Sequence, residues 1–118
     1  MDGQLVSVVI PVMNERENVR PLVAELQASL AQHDFEIVLV DDGSTDGTRG
    51  ELTRLTQEEP RLKAVFLRKN FGQSAAMLAG IEHAAGDVIV TMDGDRQNDP
   101  ADIPRMVQQL RFGYDLVH

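Results

Sequence analysis

Val6-Ser7-Val8-Val9-Ile10-Pro11-Val12, followed directly by Met13-Asn14-Glu15, decides the fold. The run is β-branched and almost uninterruptedly apolar, as a strand must be when crossover helices cover both faces of a parallel sheet. Working outward, Glu36-Ile37-Val38-Leu39-Val40, Ala64-Val65-Phe66-Leu67 and Val88-Ile89-Val90-Thr91-Met92 repeat the pattern, and Asp115-Leu116-Val117-His118 begins a fifth strand. Between these runs the apolar spacing turns helical. Val19, Leu22, Val23, Leu26 and Leu30 form one stripe, and Pro21 belongs in a first turn, so that helix is expected to start near Asn18 as cap. Thr45 or a neighbour caps a second helix carrying Leu52 and Leu55, which Pro60 stops. In the third, Gly72, Ala76, Gly80 and Ala84 recur every four residues. That stripe lets helix approach sheet closely, which offsets the cost of about 1 kcal/mol for an internal glycine. Gly86-Asp87 ends this helix, and a fourth runs from near Pro100 through Ile103, Met106, Val107 and Leu110 to a C-cap at Gly113. Strand and helix alternating in this way specify an α/β fold with a mostly parallel sheet.

Length and charge narrow the function classes. The chain has 118 residues, 42% hydrophobic, enough for one domain with its own core, taken as residues 1–118. Eleven Lys and Arg against 19 Asp and Glu leave a net charge of −8, which excludes a general nucleic-acid binder and a basic membrane-surface helix. Without cysteine there are no disulfides and no thiolate metal sites, consistent with a reducing compartment. The longest apolar stretch, Val8 to Met13, falls far short of the roughly 18 residues of a spanning helix, and Met1 to Leu5 lacks a basic leader. The expectation is a cytoplasmic domain without a membrane span.

The acids carry the chemistry. In a parallel sheet, Asn14-Glu15, Asp41-Asp42 and Asp93-Gly94-Asp95 all follow strands and share the carboxyl edge, where open α/β sheets bind ligands. The third strand brings Arg68, Lys69 and Asn70 to the same edge. Five carboxylates on one rim repel each other unless a divalent cation or cationic groups neutralise them. As turn formers or caps, single members such as Asp41-Asp42-Gly43-Ser44 need no ligand. As a set they point to a site. Asp93 and Asp95 on alternate residues reach one hard cation, Gly94 leaves room for close approach, and Gln97 adds an amide oxygen, a donor set for Mg2+ or Mn2+. Phe71-Gly72-Gln73 opens a helix whose free N–H groups favour an anion. His33, His83 and His118 show no metal-ligand spacing, and Met77, Met92 and Met106 read as core filler.

The stretches Val6 to Glu15, Glu36 to Thr48, Asn70-Phe71-Gly72-Gln73 and Gly86 to Pro100, in this order along nearly the whole chain, resemble family 2 glycosyltransferases. Within that family they look like the polyprenyl-phosphate branch, the dolichol-phosphate mannosyltransferases and bacterial undecaprenyl-phosphate glycosyltransferases. The resemblance implies a Rossmann-like GT-A fold, cut after about its fifth strand, that binds a nucleotide-sugar donor with a divalent metal on the diphosphate. It implies that Pro11, Asn14 and Glu15 line the nucleotide pocket and that Val40 and Asp42, with Asp41 as second candidate, contact the base. Asp93 and Asp95 would be the catalytic acids, serving metal and diphosphate together with Gly94 and Gln97. Two positions depart from the pattern: Met13 stands where an aromatic residue is common, and Arg96 replaces an aliphatic residue inside the acidic motif.

The implied reaction is transfer of the sugar to a lipid phosphate with inversion. That acceptor is already ionised near pH 7 and needs no general base. The family continues past a fifth strand with acceptor-binding and membrane-associating segments, so these residues are expected to be a donor-binding half with weak or no turnover. A non-catalytic nucleotide-sugar binding module is the competing reading. A receiver-like signalling domain requires a phosphoacceptor Asp at the end of the third strand, where Leu67-Arg68-Lys69 stands instead. An Asp-nucleophile phosphatase places its acid pair after the first strand, not the fourth.

Overall fold

Among the described residues every strand pairing is parallel, and the strands lie in the order Leu62–Phe66, Asp34–Asp41, Leu5–Val12, Val88–Thr91 and Leu116–Val117. The computed structural model describes residues 4–92 and the backbone of the pair 116–117. The elements are β1 (Leu5–Val12), α1 (Arg16–Ser29), β2 (Asp34–Asp41), α2 (Thr48–Glu58), β3 (Leu62–Phe66), α3 (Gln73–His83), β4 (Val88–Thr91) and β5 (Leu116–Val117). The fourth helix expected near Pro100, and with it Ile103, Met106, Val107, Leu110 and Gly113, lies outside the described residues.

Two layers of helix enclose the sheet. Even-numbered residues of β1 (Val6, Val8, Ile10, Val12) and odd-numbered residues of β2 (Phe35, Ile37, Leu39) join Val19, Leu22, Val23, Leu26 and Leu30 of the α1 segment and Leu52 and Leu55 of α2 in one core. Val9, Val38 and Val40 point the other way and pack with Ala76 of α3. The first strand is therefore covered on both sides, as its composition requires. Gly80 explains the small-residue stripe: a methyl group there would press into Val9 Cγ1 and stand 2.8 Å from Val40 Cγ2. Valines are stiff at χ1 and cannot swing aside. Gly80→Ala is expected to destabilise the fold by about 1–2 kcal/mol in urea titration, because overpacking outweighs the gain in helix propensity of about 1 kcal/mol. A variant as stable as the parent would show that α3 is not seated this closely.

Helix α1 begins at Arg16, earlier than the Asn18 start expected from sequence, and Pro21 falls inside it. The cause is long-range. The carbonyl of Glu15 accepts the N–H groups of Asn18 (2.9 Å) and Val19 (3.1 Å), while Thr48 Oγ1 and Asp46 Oδ2 accept those of Glu15 and Arg16. Pro21 is exposed, so the backbone bond it removes faces water. Strand β3 starts at Leu62 rather than Ala64, since Lys63 enters it with its ammonium 2.8 Å from the Glu36 carboxylate.

That carboxylate organises the amino edge. Glu36 is 7% exposed and accepts bonds from Ser7 Oγ and the Ala85 N–H, both at 2.6 Å. Ser7 Oγ in turn accepts the Gly86 N–H at 2.8 Å, and Lys63 Nζ donates to the His83 carbonyl at 3.1 Å. Burial pushes the Glu36 carboxyl up, but the bonds from Lys63, Ser7 and Ala85 outweigh it and hold it below the ordinary glutamate value. One buried charge thus anchors the end of α3 to three strands.

Candidate functional site at the carboxyl edge

Register brings the strand ends level: Val12 pairs with Asp41, and Asp41 with Phe66. β4 stops lower, with Thr91 opposite Val9 and the Met92 N–H donating to the Val9 carbonyl at 3.1 Å. Among the described residues three connections rise from this edge, 13–15, 42–47 and 67–72, and hydrogen bonds lace them together. Asn14, at φ +53°, donates its N–H to Ser44 Oγ and accepts the Thr45 N–H on Oδ1, both at 2.8 Å. A left-handed conformation suits Asn better than other L-residues. Asn18 Nδ2 donates to Glu15 Oε1 at 2.6 Å, and a cleft of about 240 Å³ lies between Asn14, Glu15, Asn18 and Asp46. Asp46 is held below the ordinary aspartate value by the Thr48 hydroxyl and by backbone N–H groups.

The two adjacent aspartates part company. Asp41 has no exposure; its Oδ1 accepts the Ser44 N–H at 3.3 Å, and its Oδ2, 3.8 Å from Arg49 Nε, has no hydrogen-bond partner among the described residues. Asp42, 5% exposed, turns to the other loop, where Oδ1 accepts the Phe71 N–H at 2.8 Å. Gly43 sits in the seam at φ +78°, with Lys69 and Asn70 backbone against the place a Cβ would occupy. Asn70 Nδ2 donates to the sulfur of Met13 at 3.6 Å and Oδ1 accepts the Gly72 N–H at 3.0 Å. Met13 therefore spans to the third loop.

Of the residues expected at the site, the structure brings Asn14, Glu15 and Asp42 to the rim, while Pro11 and Val40, paired in register, are buried beneath it. Val40 lies under α3 and Asp41 on the α2 side. Asp93, Gly94, Asp95, Arg96 and Gln97 lie outside the described residues. Among the described residues no three His, Asp or Glu side chains converge to hold a metal ion. Arg49 was not anticipated: its guanidinium stacks 4.8 Å over Phe66 and donates to the Leu67 carbonyl at 3.3 Å. Arg61 stacks on Phe35 at 4.6 Å, at the start of β3 and away from the rim.

A family model, glycosyl transferase family 2, matches residues 7–118. The chain belongs to glycosyl transferase family 2. This family 2 chain is 47% identical over 117 residues to the undecaprenyl-phosphate 4-deoxy-4-formamido-L-arabinose transferase of Pseudomonas fluorescens, covering 97% of itself and 34% of that protein. It is 50% identical over 107 residues to the dodecaprenyl-phosphate galacturonate synthase of Rhizobium johnstonii, covering 88% of itself and 32% of that protein. The chain thus spans about a third of the length of these relatives. Among solved structures, the mannosyltransferase PcManGT of Pyrobaculum calidifontis in complex with GDP-Man and Mn2+ superposes with a TM-score of 0.76 at 25% identity, over 91% of this chain and 32% of that one. S. aureus TarS 1-349 in complex with UDP gives 0.66 at 26% identity, over 91% of this chain and 32% of that one. The fold is the GT-A fold of the family, in agreement with the sequence reading.

Proposed function

We propose that residues 1–118 form the nucleotide-sugar-binding portion of a polyprenyl-phosphate glycosyltransferase, which moves a sugar from a UDP- or GDP-sugar to a lipid phosphate with inversion. The observation that carries it is the identity of 47–50% to two transferases named for polyprenyl phosphates, combined with a polar rim at the family's ligand edge. In this reading Asn14, Glu15 and Asp42 face the nucleotide, Asp42 taking a base N–H. Pro11, Val40 and Asp41 support them from below.

Asp93 and Asp95, directly beyond β4, and Gln97 offer only oxygen donors, which suits Mg2+ or Mn2+. Bound by these residues, such an ion would supply Lewis-acid stabilisation of the donor diphosphate. The rim residues orient the nucleotide so that the anomeric carbon is open to attack from the far side. An ionised phosphate acceptor forms its bond to the anomeric carbon without a protein base, as the bond from that carbon to the diphosphate oxygen breaks and the nucleoside diphosphate leaves. The site would work at the cytoplasmic face of a membrane; among the described residues no helix is long and apolar enough to cross one.

Calorimetry and thermal shift against UDP-, GDP- and dTDP-sugars, with and without Mn2+, test the reading. Saturating donor at about 100 times its Kd is expected to stabilise the chain by about 2.7 kcal/mol. Asp93→Ala or Asp95→Ala should abolish the Mn2+-dependent part and Asp42→Ala should weaken binding with or without metal. No stabilisation by any of the three at millimolar concentration overturns the proposal. Donor binding without sugar transfer to a polyprenyl phosphate assigns these residues to binding alone.

A further inference from the structure

Register sets Val12, Asp41 and Phe66 side by side at the ends of β1, β2 and β3, and in a parallel sheet residues so paired share a face, here the face of α1 and α2. Asp41 thus lies between two apolar neighbours with no exposure, and its Oδ2 is buried without a hydrogen bond among the described residues. A bare carboxylate oxygen in such a place is costly, so its presence calls for an explanation. The cation beside it is Arg49, in the first turn of α2, with Nε 3.8 Å from that oxygen. The same guanidinium lies 4.8 Å over the Phe66 ring centre and donates from Nη1 to the Leu67 carbonyl at 3.3 Å.

Leu67 is thereby held twice, because its N–H donates to the Asp41 carbonyl at 3.0 Å. From Leu67 the chain runs on to Phe71, whose N–H fixes Asp42 Oδ1. On the other side Asp41 Oδ1 accepts the Ser44 N–H, and Ser44 Oγ accepts the Asn14 N–H. Asp41 and Arg49 stand where these two routes to the rim meet. We propose that Arg49, acting through Asp41 and Leu67, is a positioning residue for donor binding. It holds the 42–47 and 67–72 loops at the separation that presents Asn14 and Asp42 to the nucleotide. A planar fork can stack on a ring and donate along its edge at the same time, which a lysine ammonium cannot. The inference rests on the donor reading of the rim.

The test combines calorimetry with UDP and GDP in the presence of Mn2+ and amide hydrogen exchange of the free protein by NMR. Arg49→Met is expected to weaken nucleotide binding about tenfold, the weight of one hydrogen bond to a charged group. The Phe71 and Ser44 N–H groups should exchange about tenfold faster, whereas Val38, buried in the middle of β2, should follow only the change in global stability. A guanidinium that merely stabilises the fold would leave the affinity of the folded protein untouched and speed all three amides by one factor. Arg49→Lys keeps the charge without the fork and should bind about threefold more weakly than the parent. Adding Asp41→Asn to Arg49→Met removes the stranded charge, so the thermal midpoint should recover while the affinity does not.

One common acceleration of all three amides overturns the proposal. So does recovery of affinity in the double variant, which would reduce Arg49 to a counter-ion. Gly50→Ala, the next residue of α2, should bind as the parent does. Failure of the parent to bind either nucleotide overturns the donor reading and this inference with it, whereas binding that Arg49→Met leaves intact overturns the inference alone.

Discussion

Glu36→Ala is expected to lower the thermal midpoint by about 12 °C. The substitution strips the acceptor from Ser7 Oγ and the Ala85 N–H in a site that is 7% exposed, and it frees Lys63. Leaving buried donors without a partner costs about 1–3 kcal/mol each. A total of about 3 kcal/mol at about 4 °C per kcal/mol gives the shift. Glu36→Gln keeps an acceptor oxygen and should lose about half as much. The charge itself can be isolated by pH. The folded state holds the Glu36 carboxyl below its ordinary value of 4.5, so the unfolded chain binds the proton more readily. The stability it contributes is complete above about pH 4.5 and is lost as the pH falls through the lower folded-state value. The gap between the parent and Glu36→Gln should therefore be full at pH 7 and narrow below about pH 4.5. A gap of equal size at pH 7 and pH 3 would refute the charged anchor.

The second large effect concerns the rim. Gly43 has φ +78°, a conformation that costs an L-residue about 1–2 kcal/mol, and the added methyl would meet the backbone of Lys69 and Asn70. No side chain there can rotate away. Gly43→Ala must push the 42–47 and 67–72 loops apart, stretching the bond from Phe71 to Asp42 and the contact from Asn70 to Met13. Donor affinity should fall at least tenfold, and stability by about 2–3 kcal/mol. Gly50→Ala is the matched control: it lies in α2, its added methyl meets only Arg54 Nη1 at 3.8 Å, and it should raise stability by up to about 1 kcal/mol. Undiminished donor binding by Gly43→Ala would dissociate this seam from the site.

What the sequence reveals and what it hides follow from the range of the interactions. The parallel sheet is legible in Val6 to Val12 and Glu36 to Val40, because burial on both faces writes itself into every residue of a strand. The close fit of α3 is legible too, in the spacing of Ala76 and Gly80. The start of α1 is not. Its first N–H groups are satisfied from Thr48 and Asp46, about 30 residues away, and no local cap marks it. At the rim, Asn14 and Asp42 can be read from their position after strands, but the division of labour between Asp41 and Asp42 depends on which face each residue of β2 meets. The Ser7–Glu36 pair left a signal that could have been followed. A hydroxyl and a carboxylate within otherwise apolar, doubly covered strands must find each other or a helix end.

Among the described residues β3 forms one edge of the sheet, and its make-up has a protective consequence as well. An edge strand offers unpaired N–H and C=O groups to any extended chain, including a second copy of itself. This one is five residues long, carries Lys63 locked to Glu36, and has Arg49 laid across Phe66 at its end. A chain adding there would have to displace a fixed ammonium and a stacked guanidinium. The contacts that seat α3 and steady the rim thus also guard this edge against strand addition.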